Sequence, residues 1–236
     1  MTVKTPFSLS EKIAIITGFG SPKDALSNGG AIARLFAKQG AVIEGLDISA
    51  EDAQNTVEAI IKAGGQAFFT SGDATVEADI DSWIKSVLQR HGRIDILINN
   101  AGIADARGVA AEQFDTETFN QIISVDLLGA FLYARECGRR MLERGKGSIV
   151  NICSIMASGG NENNVIGYTA AKGGPLNLTY QLGVEWADRG VRVNSVSPGF
   201  IVTEMTRPML EAMGIDRWIA SRTPMRRVGE AEEVTN

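Results

Sequence analysis

The chain has 236 residues, of which 44% are hydrophobic and 22% are charged, and it contains 26 glycines. This composition is typical of a globular protein with enough apolar surface for one substantial core. The formal net charge of −5 and a pI near 5.1 argue against a nucleic acid as partner.

The two cysteines, Cys137 and Cys153, lie in apolar surroundings without the spacing of a metal site. They are expected to be reduced thiols of a cytoplasmic protein, although one pair alone leaves a disulfide open. The N-terminal residues MTVKTPFSLSEK contain no apolar signal segment, and no stretch approaches 18 apolar residues. We therefore expect neither secretion nor a membrane partner.

Short apolar runs alternate with longer helical patterns along the chain. The apolar runs predict strands at 13–17, 41–46, 66–70, 94–99, 148–153 and 192–197. Helical patterns lie between them, at 30–39, 50–63, 78–90, 117–143 and 165–189. Most of the strands are continuously apolar, which is typical of parallel strands covered on both faces. The sequence therefore predicts a single α/β domain over 1–236, a Rossmann-type doubly wound parallel sheet flanked by helices.

The segment ITGFGSPKDALSNGGAIARLFAKQG, residues 16–40, joins the first strand to the first helix. Thr17 and Gly18 fit the opening turn of a nucleotide-binding loop, and Gly29 fits its last glycine, where helix amides face a pyrophosphate. The loop between them is longer than the usual glycine spacing, and Ser27 and Asn28 replace a glycine and a small apolar residue. Ser27 is expected to donate to a phosphate and to cap the helix.

Asp47 ends the second predicted strand, 18 residues beyond Gly29. The dinucleotide-binding fold places an acidic residue about 20 residues beyond its glycines, where the carboxylate accepts hydrogen bonds from ribose hydroxyls. Because a carboxylate there repels a 2′-phosphate, we predict NAD as cofactor, with NADP less favoured. Lys23 in the long loop would offset that repulsion, but an exposed loop lysine is more often only solvated.

Tyr168 and Lys172 are four residues apart and share one face of a predicted helix. Tyrosine ordinarily titrates near about pH 10, and a neighbouring ammonium with an oxidised nicotinamide stabilises its phenolate form. Ser154 follows the strand SIVNIC, 14 residues before Tyr168, where its hydroxyl would bind a substrate oxygen. Together these residues predict a Ser-Tyr-Lys site in which a phenolate acts as a base beside a substrate oxygen.

Five stretches carry the remaining pattern, in this order: TG at 17–18, GDA at 72–74, NNAG at 99–102, S…YTAAK at 154–172 and RVNSVSPGFIVTEM at 192–205. Over nearly its whole length the chain resembles the classical short-chain dehydrogenases/reductases. The resemblance implies a NAD-dependent oxidoreductase that interconverts a secondary alcohol and a ketone by hydride transfer. The separation of three residues in YTAAK argues against the enoyl reductases, which place six there.

The resemblance also assigns cofactor contacts. It implies that Asp73 and Ala74 line the adenine, and that Asn99, Asn100, Ala101 and Gly102 flank the adenosine ribose. It further implies that the nicotinamide half is held by Pro198, Gly199, Ile201 and Thr203, with Tyr168 and Lys172 also contacting the cofactor. We add Ile48, next to Asp47, to the cofactor-binding set.

Besides the long loop before the first helix, two further features depart from the family pattern. Asp126, in ISVDLLGAF at 123–131, stands where the family usually has an asparagine that supports a water linked to the lysine. Its carboxylate can accept from that water and favours a charged lysine, so we count Asp126 among the catalytic residues. The chain also stops at RRVGEAEEVTN, where family members continue through another helix and strand, so we expect those elements to be missing.

The segment 204–222 lies where this family closes a substrate lid. Its apolar inner face is predicted to contain Met205, Met209, Leu210, Met213 and Trp218; the alternative is a short amphipathic helix packed on the body. With GGNENNV at 159–165, the pocket is predicted to mix apolar and amide groups. A polyol or sugar alcohol, a hydroxyacyl thioester and a small cyclic alcohol all fit, and the sequence does not choose between them.

Two broader questions stay open at this stage. A non-catalytic NAD-binding regulator on the same fold would bind the cofactor without turnover. The helices at 117–143 and 165–189 carry apolar residues beyond one face, and family members usually pair them. We therefore predict a homodimer or homotetramer, with a small-molecule substrate and no metal.

Overall fold

The computed structural model describes residues 7–105, 107–160, 162, 164–207, 210, 219 and 221–235. Six parallel strands form its main sheet, in the order β3-β2-β1-β4-β5-β6. Their bounds are β1 Ile13–Thr17, β2 Val42–Asp47, β3 Gln66–Ser71, β4 Ile96–Asn99, β5 Gly147–Ile152 and β6 Val191–Val196. The predicted doubly wound parallel sheet is confirmed. Strand order reverses between β1 and β4, which is where such sheets bind ligands.

In the described part of the chain, six α-helices connect and cover the strands: α1 Asn28–Lys38, α2 Ala50–Lys62, α3 Glu77–His91, α4 Thr116–Ile123, α5 Ala130–Glu143 and α6 Ile166–Trp186. Short polar side chains begin several of them. In three helices, the side chain of the capping residue accepts a hydrogen bond from an amide of the first turn: Ser27 in α1, Ser49 in α2 and Asp115 in α4. These caps satisfy amides that have no partner inside the helix, so each helix begins at a defined residue.

The core has two layers, one on each face of the sheet. Ile15 packs into the layer that contains Trp83 and Ile149, and the next residue, Ile16, packs into the layer with Ile32 and Val57. All five residues of β1 are buried. Successive side chains of a strand point to opposite faces, so a central strand covered on both sides must be apolar at every position.

The predicted helix at 117–143 is helical throughout, but it is not α-helical throughout. A π-helical turn, Ser124–Gly129, separates α4 from α5. Such turns contain one residue more than an α-helical turn and are frequent at functional sites. The turn packs closely on the loop after β3: a Cβ built on Gly129 would lie only 2.8 Å from the carbonyl oxygen of Ala74. It contains Asp126, a predicted site residue.

Near the C-terminus, β7 (Ile201–Val202) and β8 (Gly229–Glu230) pair in parallel as a separate two-stranded sheet. Within the described part of the chain, the main sheet ends at β6. Of the predicted lid residues, Met209, Met213 and Trp218 lie outside the described residues.

Both cysteines are free and buried, as predicted. Among the residues that the structure describes, no helix is long and apolar enough to span a membrane, and no cluster of metal-ligating side chains is present.

Candidate active site

A cleft of about 380 Å³ lies along the carboxyl ends of the parallel strands. It brings together most of the residues that the sequence singled out, from both the nucleotide set and the Ser-Tyr-Lys set. The predicted residues that line it are Gly18, Ser27, Asn28, Asp47, Ile48, Asp73, Ala74, Asn100, Ala101, Gly102, Ser154, Tyr168, Lys172, Pro198, Gly199, Ile201 and Thr203. Four others lie behind its wall: Thr17, Gly29, Asn99 and Asp126.

The loop between β1 and α1 approaches other backbone segments too closely for side chains. Gly18 has a φ of +61°, and a Cβ there would lie 2.8 Å from the Cα of Ala101. A Cβ on Gly29 would lie 2.1 Å from the carbonyl oxygen of Gly18. Only glycine fits both positions, because a side chain would be strained at the first and would collide with backbone at both. This close packing brings the N-terminus of α1 to the cleft wall.

The longer part of the loop is anchored to the body of the domain. Phe19 is fully buried, and a Cβ on Gly45 of β2 would lie 2.2 Å from its ring. The Thr56 hydroxyl of α2 donates to the Phe19 carbonyl at 3.1 Å. Ser21 is also fully buried, and its Oγ accepts from the Ser27 amide at 3.1 Å. The extra residues therefore form an ordered turn packed beside the cleft.

Two residues at the start of α1 behave differently from each other. The Ser27 hydroxyl accepts from the Gly30 amide at 2.9 Å and donates to the Gly20 carbonyl at 2.7 Å. The predicted cap is therefore confirmed, with the hydroxyl proton directed to the loop. Asn28 lines the cleft, and its buried Oδ1 has no hydrogen-bond partner among the described residues. A buried amide group usually has a partner, so Asn28 fits a polar ligand at this position.

Asp47 ends β2 at the cleft. Its Oδ2 accepts from the Gly20 amide at 2.8 Å, and its Oδ1 accepts from the Ser49 amide at 3.0 Å. The carboxylate thus joins the long loop to the turn before α2. Each oxygen retains lone pairs for further donors, as the ribose hydroxyls would require.

The residues behind the wall hold the strand ends in place. Thr17 Oγ1 accepts from the amides of Asn100 and Ala101, both at 3.0 Å. Asn99 donates to Asn151 Oδ1 at 2.9 Å, and Asn151 in turn donates to Thr179 Oγ1 at 2.8 Å. This buried chain of hydrogen bonds joins β4, β5 and α6, the helix that carries Tyr168 and Lys172.

Three of the four predicted catalytic residues come from α6 and from the segment just after β5. Ser154 lies just beyond β5, is 8% exposed, and its Oγ accepts from the Met156 amide at 3.2 Å. Tyr168 and Lys172 lie one turn apart in α6, with the Lys172 Nζ 5.6 Å from the centre of the Tyr168 ring. All three side chains line the cleft. A hydroxyl, a phenol and a buried cation in one cleft are suited to moving a proton to or from a ligand oxygen.

Lys172 and Asp126 form a buried ion pair beneath the cleft. The Lys172 Nζ lies 3.1 Å from Asp126 Oδ2, and the two residues are 4% and 1% exposed. Burial disfavours the ammonium, but the Asp126 carboxylate and then Tyr168 outweigh it, so the pKa of Lys172 is raised. Burial also raises the pKa of Asp126, opposed by the Lys172 charge and the Ile103 amide. Asp126 does not reach the cleft surface, so we treat it as a positioning residue.

Other residues that line the cleft were not predicted. Several of these lie within two residues of predicted site residues, for example Gly20, Ile103, Val125 and Cys153, so their positions were within reach of the motif analysis. Two others, Pro22 and Asp52, are brought to the cleft by the long loop and by the first turn of α2. No local sequence signal marks these two, because long-range packing determines where they lie.

Comparison with known proteins gives consistent results. The family model described as enoyl-(acyl carrier protein) reductase matches residues 25–236. The chain is 34% identical over 228 residues to 5-keto-D-gluconate 5-reductase of Escherichia coli strain K12, covering 97% of this chain and 87% of that one. It is 35% identical over 205 residues to D-threitol dehydrogenase of Mycolicibacterium smegmatis, covering 87% and 76%.

A solved structure matches as well. The gluconate 5-dehydrogenase of Burkholderia cenocepacia, in complex with NADP and tartrate, has a TM-score of 0.89 and 31% sequence identity. The match covers 97% of this chain and 87% of that chain. Because a family model matches most of the chain, and relatives above 30% identity match it nearly end to end, the chain belongs to the short-chain dehydrogenase/reductase family of oxidoreductases.

Proposed function

We propose that the protein is a NAD-dependent enzyme that interconverts a secondary alcohol and a ketone. The observation that carries this proposal is the shared cleft. Ser154, Tyr168 and Lys172 line it together with most of the residues assigned to the nucleotide. The glycine-packed loop and the unpartnered Asn28 oxygen support a fit to a dinucleotide.

In the proposed reaction, each of the three residues has a separate task. In alcohol oxidation, the Tyr168 phenolate accepts the proton of the substrate alcohol. In carbonyl reduction, the protonated Tyr168 hydroxyl returns this proton to the carbonyl oxygen. Ser154 donates a hydrogen bond that orients this oxygen, and the charged Lys172 stabilises the phenolate. A bound nicotinamide supplies the hydride acceptor or donor. The chain contributes proton transfer and positioning.

Asp47 supports NAD rather than NADP as the cofactor. It lines the cleft at the end of β2, and its negative charge would face a 2′-phosphate. Lys23, the residue considered as a compensating cation, is exposed in the long loop. The Burkholderia cenocepacia relative is described in complex with NADP, so both cofactors are tested below.

We propose a polyhydroxylated substrate. Two relatives of this chain are named for the ketogluconate and threitol on which they act. Glu204, at the start of the predicted lid, lines the cleft and provides acceptors for substrate hydroxyls. These observations favour a polyol or sugar derivative over the hydroxyacyl thioester.

A fluorescence titration with NADH and NADPH tests the cofactor assignment, and a panel of polyols, sugar acids and their ketones tests the reaction. We expect tighter binding of NADH and turnover of at least one polyhydroxylated compound. Tyr168→Phe should abolish turnover and retain NADH binding. Tyr180→Phe is the matched control, because Tyr180 lies on the same helix and is 63% exposed.

Each outcome has a defined meaning. Turnover by Tyr168→Phe at the normal rate would contradict the proposed base. Tight NADH binding without turnover of any compound would favour the non-catalytic regulator. Tighter binding of NADPH would overturn the role given to Asp47.

The same proposal includes a homodimer or homotetramer. Tyr180 and Val184 of α6 are 63% and 81% exposed, and Phe131 at the start of α5 is 37% exposed. Exposed apolar side chains on long helices are typical of subunit interfaces. Light scattering coupled to size exclusion would show a single monomeric species if this part of the proposal is wrong.

A further inference from the structure

The ion pair beneath the cleft differs from the arrangement expected for the family. There the asparagine acts on the lysine through a water, whereas here Asp126 contacts Lys172 directly at 3.1 Å. We propose that Asp126 is a positioning residue whose buried carboxylate keeps Lys172 charged and fixed at the floor of the cleft. The inference rests on the proposed function and adds to it the group that controls the catalytic lysine.

The first support is the way in which Asp126 reaches Lys172. Asp126 lies inside the π-helical turn, and its Oδ1 accepts from the Ile103 amide at 2.7 Å. A backbone hydrogen bond therefore fixes one oxygen to the segment after β4, and the other, which has no hydrogen bond among the described residues, lies 3.1 Å from the ammonium as its counter-charge.

The second support is how closely the pair is enclosed. A Cβ on Gly102 would lie 2.8 Å from Asp126 Oδ2 and 2.9 Å from Lys172 Nζ. Lys172 also donates to the Ile152 carbonyl at 3.3 Å. The ammonium is thus fixed between β5 and the π-helical turn, with one side toward the cleft.

The third support is the charge balance around the ammonium. Among the described residues, the titratable groups that act on Lys172 are Asp126, Tyr168 and Cys153. Burial raises the pKa of the Cys153 thiol, so this group is neutral near pH 7. Asp126 is therefore the counter-ion available to Lys172 before any phenolate forms. Without it, burial alone would favour the neutral amine.

We therefore expect the enzyme to stay active up to a higher pH than it would without the Asp126 carboxylate. A charged Lys172 stabilises the phenolate, so activity ends when the ammonium loses its proton. In Asp126→Asn, a unit charge 3.1 Å away is removed from a buried amine. The neutral fraction of Lys172 at a fixed pH should rise by about tenfold or more. The alkaline loss of activity should move to lower pH.

The test measures the charge of Lys172 without requiring a substrate. Reductive methylation with formaldehyde and a borane labels neutral amines, and peptide mass spectrometry quantifies Lys172 against Lys85, whose side chain is 66% exposed. Labelling is measured over a range of pH, and the labelling midpoint of a lysine is the pH at which its labelling rate is half-maximal. In the unaltered protein, this midpoint should be higher for Lys172 than for Lys85, although Lys172 is buried. A midpoint below that of Lys85 would overturn the inference, and this measurement needs no variant.

Variants then identify the group responsible. Asp126→Asn should lower the labelling midpoint of Lys172. Asp126→Glu keeps the negative charge, so its midpoint should stay closer to that of the unaltered protein than the midpoint of Asp126→Asn does. Asp95→Asn is the matched control, because Asp95 is a buried, ion-paired carboxylate outside the cleft. An unchanged midpoint in Asp126→Asn, or the same fall in Asp95→Asn, would refute the role given to Asp126. Absence of turnover would contradict the proposed function and leave the labelling result standing.

Discussion

Phe19→Ala is the sharpest test of the long loop before α1. The Phe19 ring is fully buried against β2, at the point where Gly45 has no side chain. Removing the ring leaves a space bordered by strand backbone, which cannot collapse to fill it. Losses of this kind cost about 3 to 5 kcal/mol, and a rigid border favours the upper part of that range.

The expected effect is large against the total stability, which is about 5 to 15 kcal/mol for a typical protein. With a urea slope of roughly 2 to 3 kcal/mol per molar, the midpoint of unfolding should fall by about 1 to 2.5 M. The loop also positions Ser21, Ser27 and the start of α1. We therefore expect NADH to bind at least about tenfold more weakly, a loss of about 1.4 kcal/mol.

Ile94→Ala provides the matched control. Ile94 is also fully buried, but it lies before β4, at the end of the sheet opposite the cleft. Its truncation should cost about 2 to 5 kcal/mol and leave the affinity for NADH unchanged. If Phe19→Ala and Ile94→Ala lower the urea midpoint equally and both retain the normal affinity, the ring does not shape the nucleotide loop.

Three further variants test separate parts of the structure. Gly18→Ala should weaken NADH binding in the fluorescence titration, because its φ of +61° and the nearby Ala101 backbone exclude a side chain; unchanged affinity would contradict the close packing. Asp47→Asn should reduce the preference for NADH over NADPH by about tenfold or more, since one negative charge near the 2′ position is removed; separate titrations with each cofactor would expose an unchanged ratio. Burial opposes ionisation of Asp95, but the Ile13 amide and two arginines outweigh it and lower its pKa below 3.8. Its stabilising effect is therefore present above about pH 3.8 and lost as the pH falls through the lower folded value. Asp95→Asn should lose about 1 to 2 kcal/mol at pH 7, because the Ile13 amide keeps only a neutral acceptor while the two arginines, 40% and 35% exposed, are partly solvated. Its urea midpoint should also decline less steeply with acid, and a parallel decline in both proteins would refute the assignment.

The strand positions could be predicted from the sequence, because burial on both faces demands continuous apolar runs. The helix positions could be predicted from the helical repeat of apolar residues between these runs. The expected strand at 13–17 matches β1 residue for residue, and the other predicted strands differ from the observed ones by one or two residues at an end. The Ser-Tyr-Lys spacing and the acidic end of the second strand were equally visible, because these features lie in short stretches with a known physical role. The family itself followed from such stretches and their order.

Tertiary structure decided how those stretches meet. The π-helical turn at Ser124–Gly129 was not predicted from the sequence, and Gly129 at its end packs against the Ala74 carbonyl across the fold. The anchoring of the long loop by Phe19 depends on an empty space beside Gly45 in another strand. Local pattern determines which element a residue joins, because periodicity is set by near neighbours.

The direct contact between Asp126 and Lys172 shows the same division. From the sequence alone, an aspartate at this position was compatible with a water between the two groups. The fold places them 3.1 Å apart, because the extra residue of the π-helical turn and the missing side chain of Gly102 leave room for that approach. The sequence by itself determined the fold class, the family and the chemical groups of the site. Distances, burial and charge pairing arise only when segments far apart in the chain pack together.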